Sequence, residues 1–333
     1  GQNHGHETGV LVFRPGGALK VEPRDFSFFK TLQPFNTRID EWAPRIVGQI
    51  LNFQPQAVVF MGKVAHLYGP TIANYLPSIT RVATYRSGKP PVAYYRRAML
   101  EAHGVITNSH AEHKRLISPW GIPEKLIHTV LNGCIIHNEG PVLTERSTGP
   151  LKLLCVAMFR PQKNQIELLE ILSSLPPGID WRCTFAGTGK TLKTCKAKVR
   201  ELKVQDRVDF TWSDNPVELY NSHDILVHSS TKESLPNSLI EAQCCGLPVV
   251  AYLVNGVREC FEEGVSGFGI PVGSRHAFRD AIHLLAMEPK RLRSMSEAAH
   301  EFGRKHFNFG ERAREFFEVI ESIQRTREQQ EAR

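Results

Sequence analysis

A chain of 333 residues, 41% of them hydrophobic and 23% charged, is long enough to bury two cores of moderate size, so two domains are expected. It holds no run of eighteen apolar residues and no basic, apolar, small-residue signal pattern at its start, which argues against a spanning helix and against export, and for a cytoplasmic protein. The net charge of +7 is uneven: residues 1–150 hold 16 Lys and Arg against 10 Asp and Glu, and residues 151–333 hold 25 against 24, so the first half is the one suited to an anionic partner.

Short β-branched runs alternate with longer amphipathic stretches. GVLVF (9–13), AVVFM (57–61), TRVATY (80–85), GVITNS (104–109) and LIHTVLNG (126–133) form one series. LKLLCVAMF (151–159), WRCTFAG (181–187), DRVDFTW (206–212), DILVHSS (224–230) and LPVVAYL (247–253) form a second. Strands at this spacing predict parallel βαβ units. Between the series, HNEGPVLTERSTGP (137–150) is polar and rich in Gly and Pro, the best linker candidate in the chain. The expected fold class is α/β, with two Rossmann-like parallel-sheet domains facing a cleft. Residues 1–136 would form the first domain and 151–309 the second. A terminal surface helix is expected over 310–330, with an apolar stripe at Phe316, Val319, Ile320 and Ile323.

In the first series, YRSGKPPVAYYRR (85–97) mixes four basic residues with three tyrosines. Tyr85, Arg86 and Lys89 are the candidates for contact with an anionic partner. Together with Tyr94, Tyr95, Arg96 and Arg97 they suggest peripheral contact with an anionic inner membrane face, the rings lying at headgroup depth. No nucleic-acid motif accompanies them, so no nucleic-acid partner is expected. His110 and His113 have the spacing of a metal clip but no Cys or carboxylate pattern beside them, and no Asp-x-Asp triplet occurs, so no metal is expected. The seven cysteines, an odd number without regular spacing, read as reduced core thiols.

Ligands of open parallel sheets bind beyond the carboxyl ends of the strands, so the residues after each strand of the second series carry the chemistry. FRPQKN offers Arg160 and Lys163, two cations able to neutralise a diphosphate. GTGKT (187–191) looks like the end of a P-loop, but position 184 is Thr where that pattern needs Gly, so Gly187 and Gly189 read as a tight turn opening a helix. In KESLPNSLIEA, Pro236 suits a first helical turn and Asn237 and Ser238 are good caps. The N–H groups of Asn237, Ser238 and Leu239 would form an anion site. Glu241 can accept from two vicinal hydroxyls and Glu233 lies nearer the cleft, while Asn255-Gly256 adds a further turn. The combination describes a pocket for a nucleoside diphosphate carrying a hydroxylated group.

The stretch SSTKESLPNSLIEAQCCGLPVVAYLVNGVREC (229–260) resembles the E-x7-E signature of glycosyltransferase family 4, retaining transferases with the GT-B fold. FRPQKN resembles that family's diphosphate site, and VLNGC (130–134) the Asn-Gly closing its N-terminal domain. The resemblance implies Arg160 and Lys163 on the diphosphate, Glu241 on the ribose, the amides of 237–239 on the distal phosphate, Glu233 with Asn255 and Gly256 on the donor sugar, and Tyr85, Arg86 and Lys89 where the acceptor binds. It implies hexosyl transfer from a nucleotide-sugar, UDP-sugar favoured, to a glycan, lipid-linked or small-molecule hydroxyl, by front-side displacement without metal or cofactor. Ser234 stands where the family commonly has Gly, and Asn255-Gly256 where it has Gly-Gly. GHETGVLVF looks like the family's second strand, which would put the first strand before residue 1. Alternatively GVLVF is the first strand and Arg14-Pro15-Gly16-Gly17 its glycine loop. Two rival functions stay open: a nucleotide-sugar epimerase, which needs no acceptor, and a non-catalytic nucleotide-sugar-binding subunit.

Overall fold

The computed structural model describes residues 5–15, 26–39, 41–135, 149–213 and 216–332. Nearly all of the expected linker, and Gly16 and Gly17 of the alternative glycine loop, lie outside the described residues. The chain divides into two compact units.

The first unit comprises the described residues up to Asn108, residues Glu112–Val130 and those from Ala313 onward. Strand β1 (Gly9–Val12) pairs in parallel with β2 (Phe28–Thr31). Strands β3 (Ala57–Phe60), β4 (Thr80–Tyr85), β5 (Gly104–Thr107) and β6 (Ile127–Thr129) form a four-stranded parallel sheet in that order. β2 has no counterpart in the sequence reading, because Phe-Phe-Lys-Thr is a short run without periodicity of its own. The terminal helix, Phe309–Glu331, contributes to this unit's core. Ile323 is buried with Val82, Ile106 and Val130, and Phe316, Val319 and Ile320 pack beside them. The stripe read as one face of a surface helix is therefore a packing seam. Gly104 makes the room, since a Cβ there would lie 2.4 Å from Ile323 Cδ1.

The second unit comprises Leu131–Arg312 with Ser109–Ala111. Strands β7 (Leu151–Val156), β8 (Trp181–Ala186), β9 (Val208–Thr211), β10 (Ile225–His228), β11 (Val249–Tyr252) and β12 (Gly267–Ile270) form a parallel sheet in the order β12-β11-β10-β7-β8-β9. Every residue of β10 and β11 is buried. Strands buried along their whole length, and apolar but for the closing His228, are what a sheet covered on both faces requires. Alternation along the strands feeds two cores, with Leu153 and Val250 in one and Leu154 and Val249 in the other.

The second core is sealed by the helix Pro289–Phe307, which crosses the helix Asn237–Cys244 at Gly303. A Cβ at Gly303 would lie 2.5 Å from the Cys244 amide nitrogen, so backbone meets backbone at this crossing. Gly48, inside the helix Ile46–Phe53, has nothing within 4 Å of its Cβ position. Gly303→Ala should therefore destabilise by about 1–3 kcal/mol through overpacking, and Gly48→Ala should stabilise by about 0.5–1 kcal/mol through backbone entropy. Urea denaturation followed by circular dichroism checks both. Equal shifts at the two sites would contradict the crossing.

Candidate functional site

Strands β11, β10, β7 and β8 are neighbours in the sheet, so the loops at their carboxyl ends are neighbours too, although the sequence between Arg160 and Gly256 separates them. The loop after β7 runs from Ala157 past Arg160, turns through Pro161–Lys163 and enters the helix Gln165–Ser173 through Asn164, whose φ is 53°. The loop after β10 holds it by its carbonyls. Ser229 Oγ donates to the carbonyls of Lys163 and Asn164, both at 3.1 Å. Ser230 Oγ donates to that of Gln162 at 3.0 Å, and the Thr231 amide reaches the same oxygen at 2.8 Å.

The glycine turn after β8 is pressed under the same β7 loop. Gly187 and Gly189 have φ of 151° and 147°, and a Cβ on them would lie 2.1 Å from the Ala157 oxygen and 2.3 Å from the Phe159 oxygen. Only glycine fits that approach. The turn leads into the helix Leu192–Glu201.

This clamp brings Lys163 to Glu233. Lys163 Nζ lies 2.5 Å from Glu233 Oε1, and Nε2 of the buried His228, the last residue of β10, lies 3.0 Å from the same oxygen. Among the described residues no donor reaches Glu233 Oε2. Burial works to raise the Glu233 carboxyl, but the His228 hydrogen bond and charge and the Lys163 charge outweigh it and hold the group down at about 2. Asn255, at φ 40°, donates its amide to the Glu233 carbonyl at 2.5 Å. Gly256 lies so close to the loop that a Cβ would sit 2.0 Å from the Ser234 oxygen. Asn255 and Gly256 thus shape the Glu233 loop.

The helix Asn237–Cys244 starts directly after Pro236. Its first two N–H groups, on Asn237 and Ser238, have no acceptor among the described residues. Leu239 differs from the expectation: its N–H bonds the Pro236 carbonyl at 3.1 Å and its side chain is buried, so it offers no anion donor. Asn132 Nδ2 donates to Asn237 Oδ1 at 2.7 Å and fixes the helix start. One turn on, Glu241 Oε2 accepts from Tyr220 Oη at 2.6 Å. Burial raises the Glu241 carboxyl, with the Tyr220 bond opposing it. Arg160 is exposed and has no ion pair among the described residues, whereas Lys163 is committed to Glu233. The two cations expected to act as a pair are therefore in different states.

In the first unit, Arg86 and Lys89 are exposed at the end of β4. Tyr85 is not: it is fully buried, and its hydroxyl donates to the Lys89 carbonyl, so it shapes the loop and cannot face an acceptor. Tyr95 is likewise buried, its hydroxyl 2.5 Å from the Thr84 carbonyl. Two of the three rings expected at headgroup depth are thus core residues, and Tyr94 is half-buried against the same core, so charge is most of what this stretch presents. Among the described residues no helix is long and apolar enough to cross a membrane, and no cluster of three metal-ligating side chains occurs. All seven cysteines are free thiols. Sequence reasoning missed His228, Tyr220 and the serine pair 229–230. A histidine closing a wholly apolar strand was the available signal for the first.

Two family descriptions match the chain: Glycosyltransferase Family 4 over residues 2–136 and Glycosyl transferases group 1 over residues 144–302. Among curated proteins it is similar to an N-acetyl-alpha-D-glucosaminyl L-malate synthase of Bacillus anthracis, 30% identical over 150 residues, or 45% of this chain and 39% of that one. It is also similar to a D-inositol 3-phosphate glycosyltransferase of Mycolicibacterium smegmatis, 29% identical over 62% of this chain and 51% of that one. The matches thus span about half the length of these relatives or less. Among solved structures, Anabaena HepE in complex with UDP and glucose superposes with a TM-score of 0.79 at 21% identity over 94% of this chain and 91% of HepE. Sucrose-phosphate synthase of Thermosynechococcus elongatus superposes with a TM-score of 0.80 at 17% identity over 95% of this chain and 89% of that one. At these identities the likeness fixes the fold, which is GT-B.

The Glu233 cluster has a pH signature. The carboxyl moves from an ordinary 4.5 to about 2 on folding. Its contribution to stability is therefore complete above the first value and lost as pH falls through the second. Compared by urea denaturation, Glu233→Gln should be less stable than wild type near neutrality, and the gap should close between about pH 5 and pH 2. A gap constant over that range would mean that His228 and Lys163 do not hold the ionised form.

Proposed function

Because the chain belongs to the family 4 type of glycosyltransferase, joining its N-terminal region to a group 1 region, we propose that it transfers a hexosyl group from a UDP-sugar to a hydroxyl acceptor with retention of configuration and without metal. The observation that carries this reading is the anchored Glu233, its Oε2 open, beside a helix start with two uncommitted N–H groups and the exposed Arg160. UDP bound to the structural neighbour HepE supports the choice of base.

Retention requires the acceptor hydroxyl to arrive on the face from which the nucleotide departs. In a front-side displacement the bond from the anomeric carbon to the diphosphate oxygen breaks as the bond to the acceptor oxygen forms, and the leaving phosphate takes the acceptor proton. Charge grows on the diphosphate, where Arg160 and the N–H groups of Asn237 and Ser238 stabilise it, with Lys163 joining as the phosphate draws it. Positive charge grows on the sugar ring, where the ionised Glu233 offsets it and accepts a sugar hydroxyl on Oε2. Glu241, steadied by Tyr220, takes the ribose hydroxyls. The glycine turn at Gly187 packs directly on the β7 loop and so supports the segment that carries Arg160 and Lys163. Arg86 and Lys89 suit an anionic acceptor.

A thermal-shift panel of UDP, GDP and ADP tests the donor without any acceptor. UDP at a hundredfold excess over its Kd should add about 2.7 kcal/mol of stability, and a response to GDP or ADP alone would overturn the choice of base. Arg160→Ala should cost about 2–4 kcal/mol of transition-state stabilisation, the scale of one electrostatic donor. Release of UDP from a UDP-sugar should persist in EDTA. Loss restored by manganese or magnesium would overturn the metal-free route. With acceptor present, proton NMR of the product should show the donor's anomeric configuration, whereas turnover independent of acceptor would favour the epimerase.

A further inference from the structure

His228 carries an assignment that the donor-site reading does not. The residue is 2% exposed, at the end of a strand whose other three residues are buried and apolar. A polar ring at that depth needs a partner, and its Nε2 meets Glu233 Oε1 at 3.0 Å. Lys163 Nζ meets the same oxygen. One carboxylate oxygen thus has two anchors, while no donor among the described residues reaches the other.

The two anchors differ in kind. Lys163 sits on a flexible stem in a loop, 21% exposed, beside the exposed Arg160. An ammonium so placed is free to turn toward a diphosphate when one arrives. The imidazole is fixed by the strand and cannot follow. We infer that His228 is a positioning residue for sugar recognition: when the donor's diphosphate draws Lys163 away, His228 alone keeps Glu233 aimed, so that Oε2 still meets the sugar hydroxyl. This rests on the donor-site reading above. It assigns His228 no contact with the nucleotide, so removing it should penalise the sugar and spare the UDP.

Isothermal titration of wild type, His228→Ala and His228→Gln with UDP, UDP-glucose and UDP-N-acetylglucosamine tests this without an acceptor. The UDP-sugar that wild type binds more tightly should bind His228→Ala about tenfold more weakly, the scale of one charge-assisted hydrogen bond, while UDP affinity changes less than about twofold. His228→Gln, which can place an N–H close to the former Nε2, should recover most of the loss. Equal weakening of UDP and UDP-sugar would make His228 merely structural and overturn the inference, as would unchanged binding of both, or a loss that Gln does not repair. Wild type that binds UDP but no UDP-sugar would overturn it as well. Failure of wild type to bind UDP would instead sink the donor-site reading itself and take this inference with it.

Discussion

A carboxylate whose side chain is only 11% exposed stays ionised when neighbours replace the water it has lost, and Glu233 is such a group. That requirement reaches outward through the second unit. Lys163 meets it only because the β7 loop is tied down by its carbonyls to Ser229, Ser230 and Thr231. His228 meets it because β10 ends one residue before those serines. The Glu233 backbone is held in turn by the Asn255 amide, and Gly256 permits the approach. Removing one partner from such a cluster leaves the others with an uncompensated buried charge, and so the loops act as a unit.

The parallel sheet makes the unit possible. Crossover connections carry the chain from the carboxyl end of one strand back to the amino end of the next, so every loop of interest emerges at one rim. The order β11-β10-β7-β8 then decides which loops touch. The cation loop lies between the Glu233 loop and the glycine turn because β7 lies between β10 and β8. This adjacency is a property of topology, and no local run of residues encodes it.

That distinction explains what could be read in the sequence. The ten strands of the two expected series are present, because β-branched runs bounded by turn residues carry their own signal. β2 and β12, Phe-Phe-Lys-Thr and Gly-Phe-Gly-Ile, lack it and form through pairing with β1 and β11. At the site, Glu233, Lys163, Arg160 and the helix start were legible as residue types after strands. That Lys163 is spent on Glu233, that Tyr220 holds Glu241, and that Tyr85 and Tyr95 lie in the core are long-range facts. A tyrosine beside arginines looks the same in sequence whether its ring faces water or a core. Leu239 fell the same way, since counting free amides at a helix start requires knowing whether the first turn tightens.

The seam between Ile323 and Gly104 bears on how the polypeptide matures at the ribosome. Domains generally fold as units during synthesis, N-terminal ones first. Here the order is inverted for part of the chain. The second unit is nearly one continuous stretch, Leu131–Arg312, and all of it has been made before the helix segment that fills the space above Gly104. Until that segment arrives, Val82, Ile106 and Val130 lack the cover that Ile323 gives them, whereas every residue of the second unit has already been made.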